Sequence, residues 1–250
     1  MKSQTLNLFK KELKLGNSTQ SICWVLCCFG MFLIPSYPYY VGPFYITLAI
    51  MMTFALNQSS HDILYTVLLP VRKIDTVKAR FLYCGMYEIL ALLFGLIGAV
   101  LHHFIHYPDN NAGTNITVAF FGLQLIIFSV FNLIFLGGVY KNPLKPGRRF
   151  FFSSIAYLLL LFLFEFPVWN YQGMISGLKK GGYDLSWAIP DALLRRPWYS
   201  LENIGHYITS TDLESQIQQL PVLGVGVLIF ALSWLLTFRC AAHQFEKYDI

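Results

Sequence analysis

The chain has 250 residues, of which 56% are hydrophobic, 17% aromatic and only 12% charged. A soluble domain carries about 25% charged residues, so a soluble globular class is excluded and an all-α polytopic membrane protein is indicated. The formal net charge of +5 needs no nucleic acid to explain it, because its distribution along the chain reports membrane orientation and contact with anionic lipid.

In chain order, residues 1–17 come first. Leu6, Phe9 and Leu13 fall at helical spacing, with Asn7, Lys10, Lys11 and Lys14 on the other side. That pattern predicts a short amphipathic helix at the inner interface; a basic flank that only orients the chain is the alternative. Six apolar stretches follow, at 19–36, 41–56, 81–104, 116–140, 150–170 and 220–238. Most approach the roughly 20 residues that a helix needs to cross a hydrocarbon core, and the second is the weakest. The first begins near residue 19 and ends in Pro35-Ser36-Tyr37-Pro38 rather than small residues, so it reads as a retained span and not a cleaved signal peptide.

Placing both ends inside puts 14 of the 18 Lys and Arg residues on that side and none in the two short outside loops. The opposite orientation reverses this at every short loop, so N-in, C-in is expected. Cys23, Cys27, Cys28 and Cys84 lie in apolar stretches and Cys240 at the inner end of the last, which implies no disulfide framework.

The segment 58–79 is too polar to span. Asp62 is followed by Ile63, Leu64, Val67 and Leu68 on one helical face, and Pro70 then breaks the run. Arg72, Lys73, Asp75, Lys78 and Arg80 lead into the third stretch. A cytoplasmic helix with one greasy face and a basic exit predicts a protein partner. Residues 141–149 are expected to form a short basic loop, with two prolines that disfavour helix and a positive-inside anchor as its plainer role. The segment 171–219 is expected to hold one or two small extracytoplasmic helices over the outer mouth, with Trp187, Trp198 and Tyr199 near the headgroups.

Catalytic signals are sparse. The sequence has no Gly-x-x-x-x-Gly-Lys-Ser/Thr, His-Glu-x-x-His, Gly-x-Ser-x-Gly or Cys-x-x-Cys. His102 and His106, with His103 between them, have the i, i+4 spacing that can hold a metal on a helix face, although a third ligand must come from elsewhere. Histidine at a headgroup interface is the plainer reading. Glu88 and Glu165 are carboxylates at membrane depth, and each either makes an interhelical contact or lines a polar pathway. Pro167, two residues beyond Glu165, marks a place where a span is expected to break and a gate to form.

The run Asp62-Ile63-Leu64-Tyr65-Thr66-Val67-Leu68-Leu69-Pro70-Val71-Arg72-Lys73-Ile74-Asp75-Thr76-Val77-Lys78-Ala79-Arg80-Phe81 resembles the segment between the second and third spans of type-2 family ATP-binding-cassette exporter permeases. The rest of the resemblance is architectural: an interfacial first helix, six spans, both ends inside, and extracytoplasmic helices between spans five and six. It implies a single permease domain over residues 1–250 in a bacterial plasma membrane, docking a separate ABC ATPase through Asp62, Ile63, Leu64, Val67, Leu68, Pro70, Arg72, Lys73 and Asp75. ATP and Mg would then belong to the ATPase, and no cofactor to this chain. A second permease copy is implied, as a homodimer or a paralogous heterodimer, with an amphipathic peptide or lipid-like substrate. In length and motif the chain resembles bacterial permeases that export phenol-soluble modulins and other antimicrobial peptides.

Two alternatives come from other classes. One is a membrane-embedded metalloenzyme using His102, His103 and His106; the other is a non-transporting scaffold or sensor whose polar helix recruits a different partner.

Overall fold

The computed structural model describes residues 2–68, 71–106, 108–179 and 192–247. All regular structure among them is helical. The elements are α1 (Lys2–Gly16), α2 (Thr19–Leu33), α3 (Val41–Ser59), α4 (Asp62–Leu68), α5 (Lys73–Ile105), α6 (Val118–Ile134), α7 (Leu136–Val139), α8 (Pro146–Lys179), α9 (Ala192–Thr209), α10 (Leu213–Gln218) and α11 (Leu220–Glu246).

Among the described residues, five stretches are long and apolar enough to cross a membrane: Val41–Ser59, Lys73–Ile105, Val118–Val139, Pro146–Gly173 and Leu213–Glu246. The sixth apolar helix, α2, has 15 residues and reaches only about 22 Å at ~1.5 Å per residue, against a core of about 30 Å. The first apolar helix is therefore the shortest, while Val41–Ser59, the second, has the lowest mean hydropathy of the five. The start of α2 is fixed by Ser18, whose hydroxyl accepts the Ser21 N–H at 3.1 Å. Its end is fixed by the turn holding Pro35 and Pro38, with Ser36 left-handed at φ 57°.

The core is aromatic. Phe32, Tyr39, Tyr40, Phe120, Phe131 and Phe135 are all buried, and Tyr40 meets Phe120 with ring centroids 4.7 Å apart. Helices α6 and α11 cross where neither has a side chain. A Cβ on Gly122 would stand 2.6 Å from the Val222 carbonyl oxygen, and one on Gly226 would collide with the Gly122 backbone. Only glycine admits backbones this close.

Helix α8 runs without interruption through Pro167, so the expected break in that span is absent. The proline removes one backbone donor, and α9 packs back against this stretch so closely that a Cβ on Gly205 would overlap the Pro167 carbonyl. The segment 171–219 holds the end of α8, the 18-residue α9 and the short α10. In its described part, 171–179 and 192–219, the main helix is longer than the small helices the sequence suggested. Trp187 lies outside the described residues.

At this end of the bundle the helix termini are satisfied by uncharged side chains. Thr117 caps α6, accepting the Phe120 N–H at 3.2 Å. Gln216 and Gln219 of α10 and its exit accept the Val118 and Ala119 N–H groups at 2.8 and 3.0 Å. Gln219 then donates to the Tyr207 carbonyl at 2.6 Å, while Asn115 and Thr117 donate to the Thr209 and Ile208 carbonyls, each at 2.8 Å. These are the orphan groups that every helix end leaves, met by amides instead of water.

Candidate functional site

The opposite end, where α1, α3, α4 and α5 converge, is organised by charge. Arg80, on the second turn of α5, is 2% exposed. Its Nε donates to Glu12 Oε1 at 3.3 Å and its Nη2 to Asp62 Oδ2 at 3.2 Å. Asp62 also takes the Lys11 ammonium, with Nζ 2.6 Å from Oδ1. Lys11 donates further to the Thr66 hydroxyl at 2.7 Å, and Asn57 donates to Glu12 Oε2 at 3.2 Å. Two cations and two carboxylates thus form a neutral cluster that ties α1, α4 and α5 together, and Asn57 adds α3. The guanidinium also lies over the Phe54 ring, 5.7 Å from its centroid.

Local sequence explains the placement. Leu8, Glu12 and Gly16 succeed one another at helical spacing, and all are buried on the face of α1 turned to the bundle. Leu6 is exposed, so the buried stripe lies one residue round from the Leu6, Phe9 and Leu13 stripe expected from hydropathy. The displacement follows the charge: turning Glu12 inward brings it to Arg80. The end of α1 is fixed in the same way, since Asn17 Oδ1 accepts the Tyr87 and Tyr83 hydroxyls at 2.7 and 3.2 Å.

Helix α4 consequently has two unlike sides. Asp62 and Thr66, one turn apart, hold it to the cluster. Tyr65 and Leu68 point away and are 68% and 83% exposed. Arg72, the residue before α5, is exposed too. Lys73 Nζ reaches the Glu246 carbonyl of α11 at 3.5 Å. Asp75 is buried in the first turn of α5, where an acid suits the helix dipole; it accepts the Thr5 hydroxyl at 3.2 Å and lies 3.8 Å from Lys78. Of the residues expected to meet a partner, Asp62 and Asp75 are therefore taken up internally. Tyr65, Leu68, Arg72 and Lys73 form the accessible rim. Pro70 lies outside the described residues, as do the side chains of Ile63, Leu64 and Val67.

The membrane-depth acids hold other elements in place. Glu88 Oε1 accepts from Asn132 Nδ2 at 2.8 Å, joining α5 to α6. Glu165 Oε2 accepts the Thr114 N–H and hydroxyl at 2.9 and 3.2 Å. Trp169 and Gln172, four and seven residues on, donate to the carbonyls of Ala112 at 3.0 Å and of Asn110 at 2.6 Å. One face of α8 therefore pins the whole 110–114 loop. His102 is engaged by the protein, with Nε2 2.8 Å from the Phe32 carbonyl and Nδ1 3.4 Å from the Tyr39 hydroxyl. His106 Nδ1 lies 3.2 Å from the Phe104 carbonyl. Among the described residues no three His, Cys, Asp or Glu side chains converge to hold a metal.

Glu12, Lys11, Asn57 and Arg80 escaped attention as site residues. The available signals were slight: Glu12 is the single acid among residues 1–17, four residues after Leu8, and Arg80 is the last cation before 24 apolar-rich residues.

Comparison with known proteins bears on the whole of this region. Residues 7–180 match the family model described as ABC-2 family transporter protein, and no curated protein or solved structure matches the chain. The match begins within α1 and reaches the end of α8, taking in the charge cluster and α4. The chain belongs to the ABC-2 family of transporter proteins, as a multi-pass membrane component.

Proposed function

We propose that the chain is the permease subunit of an ATP-driven exporter, and that a separate ABC ATPase docks on the outward side of α4. The observation that carries this reading is the division of α4: its inner side is fixed by ions, while Tyr65 and Leu68 are left exposed. Large apolar side chains held out on an otherwise polar end mark an interaction surface. Arg72 and Lys73 add positive charge at its edge.

On this reading α2 completes six spans, and the cation distribution supports a cytoplasmic side for both ends. A second permease copy, identical or paralogous, supplies the other half of the pathway. ATP-driven closure of the ATPases displaces α4, and the Arg80, Asp62, Lys11 and Glu12 cluster carries that displacement into α1 and α5 together. Spans with few fixed charges and many aromatics suit an amphipathic substrate, with antimicrobial or toxin-like peptides of the phenol-soluble modulin kind as the first candidates.

The test is affinity purification in mild detergent from the native host, with mass spectrometry of accompanying chains. A near-stoichiometric P-loop ATPase is expected. It should be lost from the double variant Tyr65→Asp, Leu68→Asp and weakened by Arg72→Glu with Lys73→Glu. Absence of any ATPase, or undiminished association in both variants, overturns the reading.

A further inference from the structure

The same end of the molecule treats its cations in two ways. Lys11, Lys78 and Arg80 are paired with Glu12, Asp62 and Asp75. Lys141, Lys145, Arg148 and Arg149 have no carboxylate partner among the described residues: with Asn142 and Phe152 they line one cavity of about 520 Å³ at the start of α8, and no described carboxylate lines it. Four like charges around one space repel one another, and an anion placed among them offsets that repulsion. The start of α8 adds the positive end of a long helix dipole.

We propose that this cavity binds a phosphate-bearing anion, and that its occupant is the headgroup of an anionic phospholipid. Three observations favour the phosphate group and its lipid source. Arg149 is braced, since a Cβ on Gly138 would stand 2.9 Å from its Nε, so one guanidinium is positioned before any ligand arrives. The planar fork of arginine suits bidentate contact with phosphate oxygens. Phe152 belongs both to the cavity wall and to an exposed apolar strip of α8 that continues through Ile155 and Leu159. A ligand with a phosphate head and acyl chains meets both surfaces at once, whereas a free anion meets only the first. The membrane-crossing stretch Pro146–Gly173 begins at this cavity, which sets it at headgroup depth.

The site is independent of the identity of the docked ATPase or the exported substrate. It is tested on the protein purified in neutral detergent, with its accompanying chains. Retention of phosphatidylglycerol is measured against phosphatidylcholine and inorganic phosphate by native mass spectrometry. The triple variant Lys141→Gln, Lys145→Gln, Arg148→Gln keeps the braced Arg149 and should bind phosphatidylglycerol roughly a hundredfold more weakly. A control removing Lys10, Lys14 and Lys247, all exposed, in the same way should bind as the native chain does. Should the first triple not fold, Arg148→Gln alone takes its place, with an expected loss of about fivefold. Equal losses in the cavity and control variants, or equal retention of phosphatidylcholine, overturn the site. Inorganic phosphate binding as tightly as the lipid overturns the lipid assignment.

Discussion

The two ends of the bundle solve one problem with different chemistry. Where α6, α9 and α10 meet, Gln216, Gln219, Asn115 and Thr117 satisfy helix termini through short, directional bonds between neutral groups. Where α1, α3, α4 and α5 meet, the links are ionic and shared, so that each carboxylate serves two partners. Neutral amide bonds weaken steeply once their geometry is lost. Coulomb attraction falls only as the inverse of distance in a water-poor site. The amide end is accordingly suited to hold a fixed arrangement, and the charged end to keep several helices together while they shift. A docking helix would be placed at the second kind of end.

Breaking each end tests that contrast. The largest effect is expected from Arg80→Met, which leaves buried Glu12 without its close cation while Asp62 keeps Lys11; the cost is about 3–5 kcal/mol, read as a lower unfolding temperature in detergent. Adding Glu12→Gln to Arg80→Met should recover part of that loss, because the unpaired carboxylate goes too and the Lys11–Asp62 pair is left balanced. Losses that simply add would mean the cluster is not coupled. At the other end Gln219→Ala orphans the Ala119 N–H and the Tyr207 carbonyl, which costs about 1–3 kcal/mol, with no rescue available from a second charge change. The smallest effect on stability belongs to Tyr65→Asp with Leu68→Asp. These exposed positions should move unfolding by no more than about 0.5 kcal/mol, while ATPase association disappears.

The membrane class and the approximate apolar stretches were legible because hydropathy is a sum over many residues and survives local detail. Helix ends were less so: α5 starts at Lys73, well before its apolar stretch, because Asp75 and Arg80 are satisfied by Thr5, Glu12 and Asp62. A one-dimensional pattern does not display such partners. For the same reason Pro167 read as a break, although close packing against α9 lets α8 continue through it. The candidate site was half legible. The composition of α4 pointed to a docking helix, but the sequence could not separate Asp62, which faces inward, from Tyr65 and Leu68, which face out. That separation depends on Lys11 and Arg80, which are 51 and 18 residues from Asp62 in sequence.

The central claim is that the outward side of α4 is the ATPase contact. The most direct measurement replaces Tyr65 with a photo-crosslinking phenylalanine analogue in the native host, illuminates intact cells and identifies the adduct by mass spectrometry. The account predicts a single dominant adduct with a P-loop ATPase, absent when the same analogue stands at exposed Leu213 near the opposite end. Adducts with lipid alone, or with a protein that lacks a nucleotide-binding motif, would contradict it.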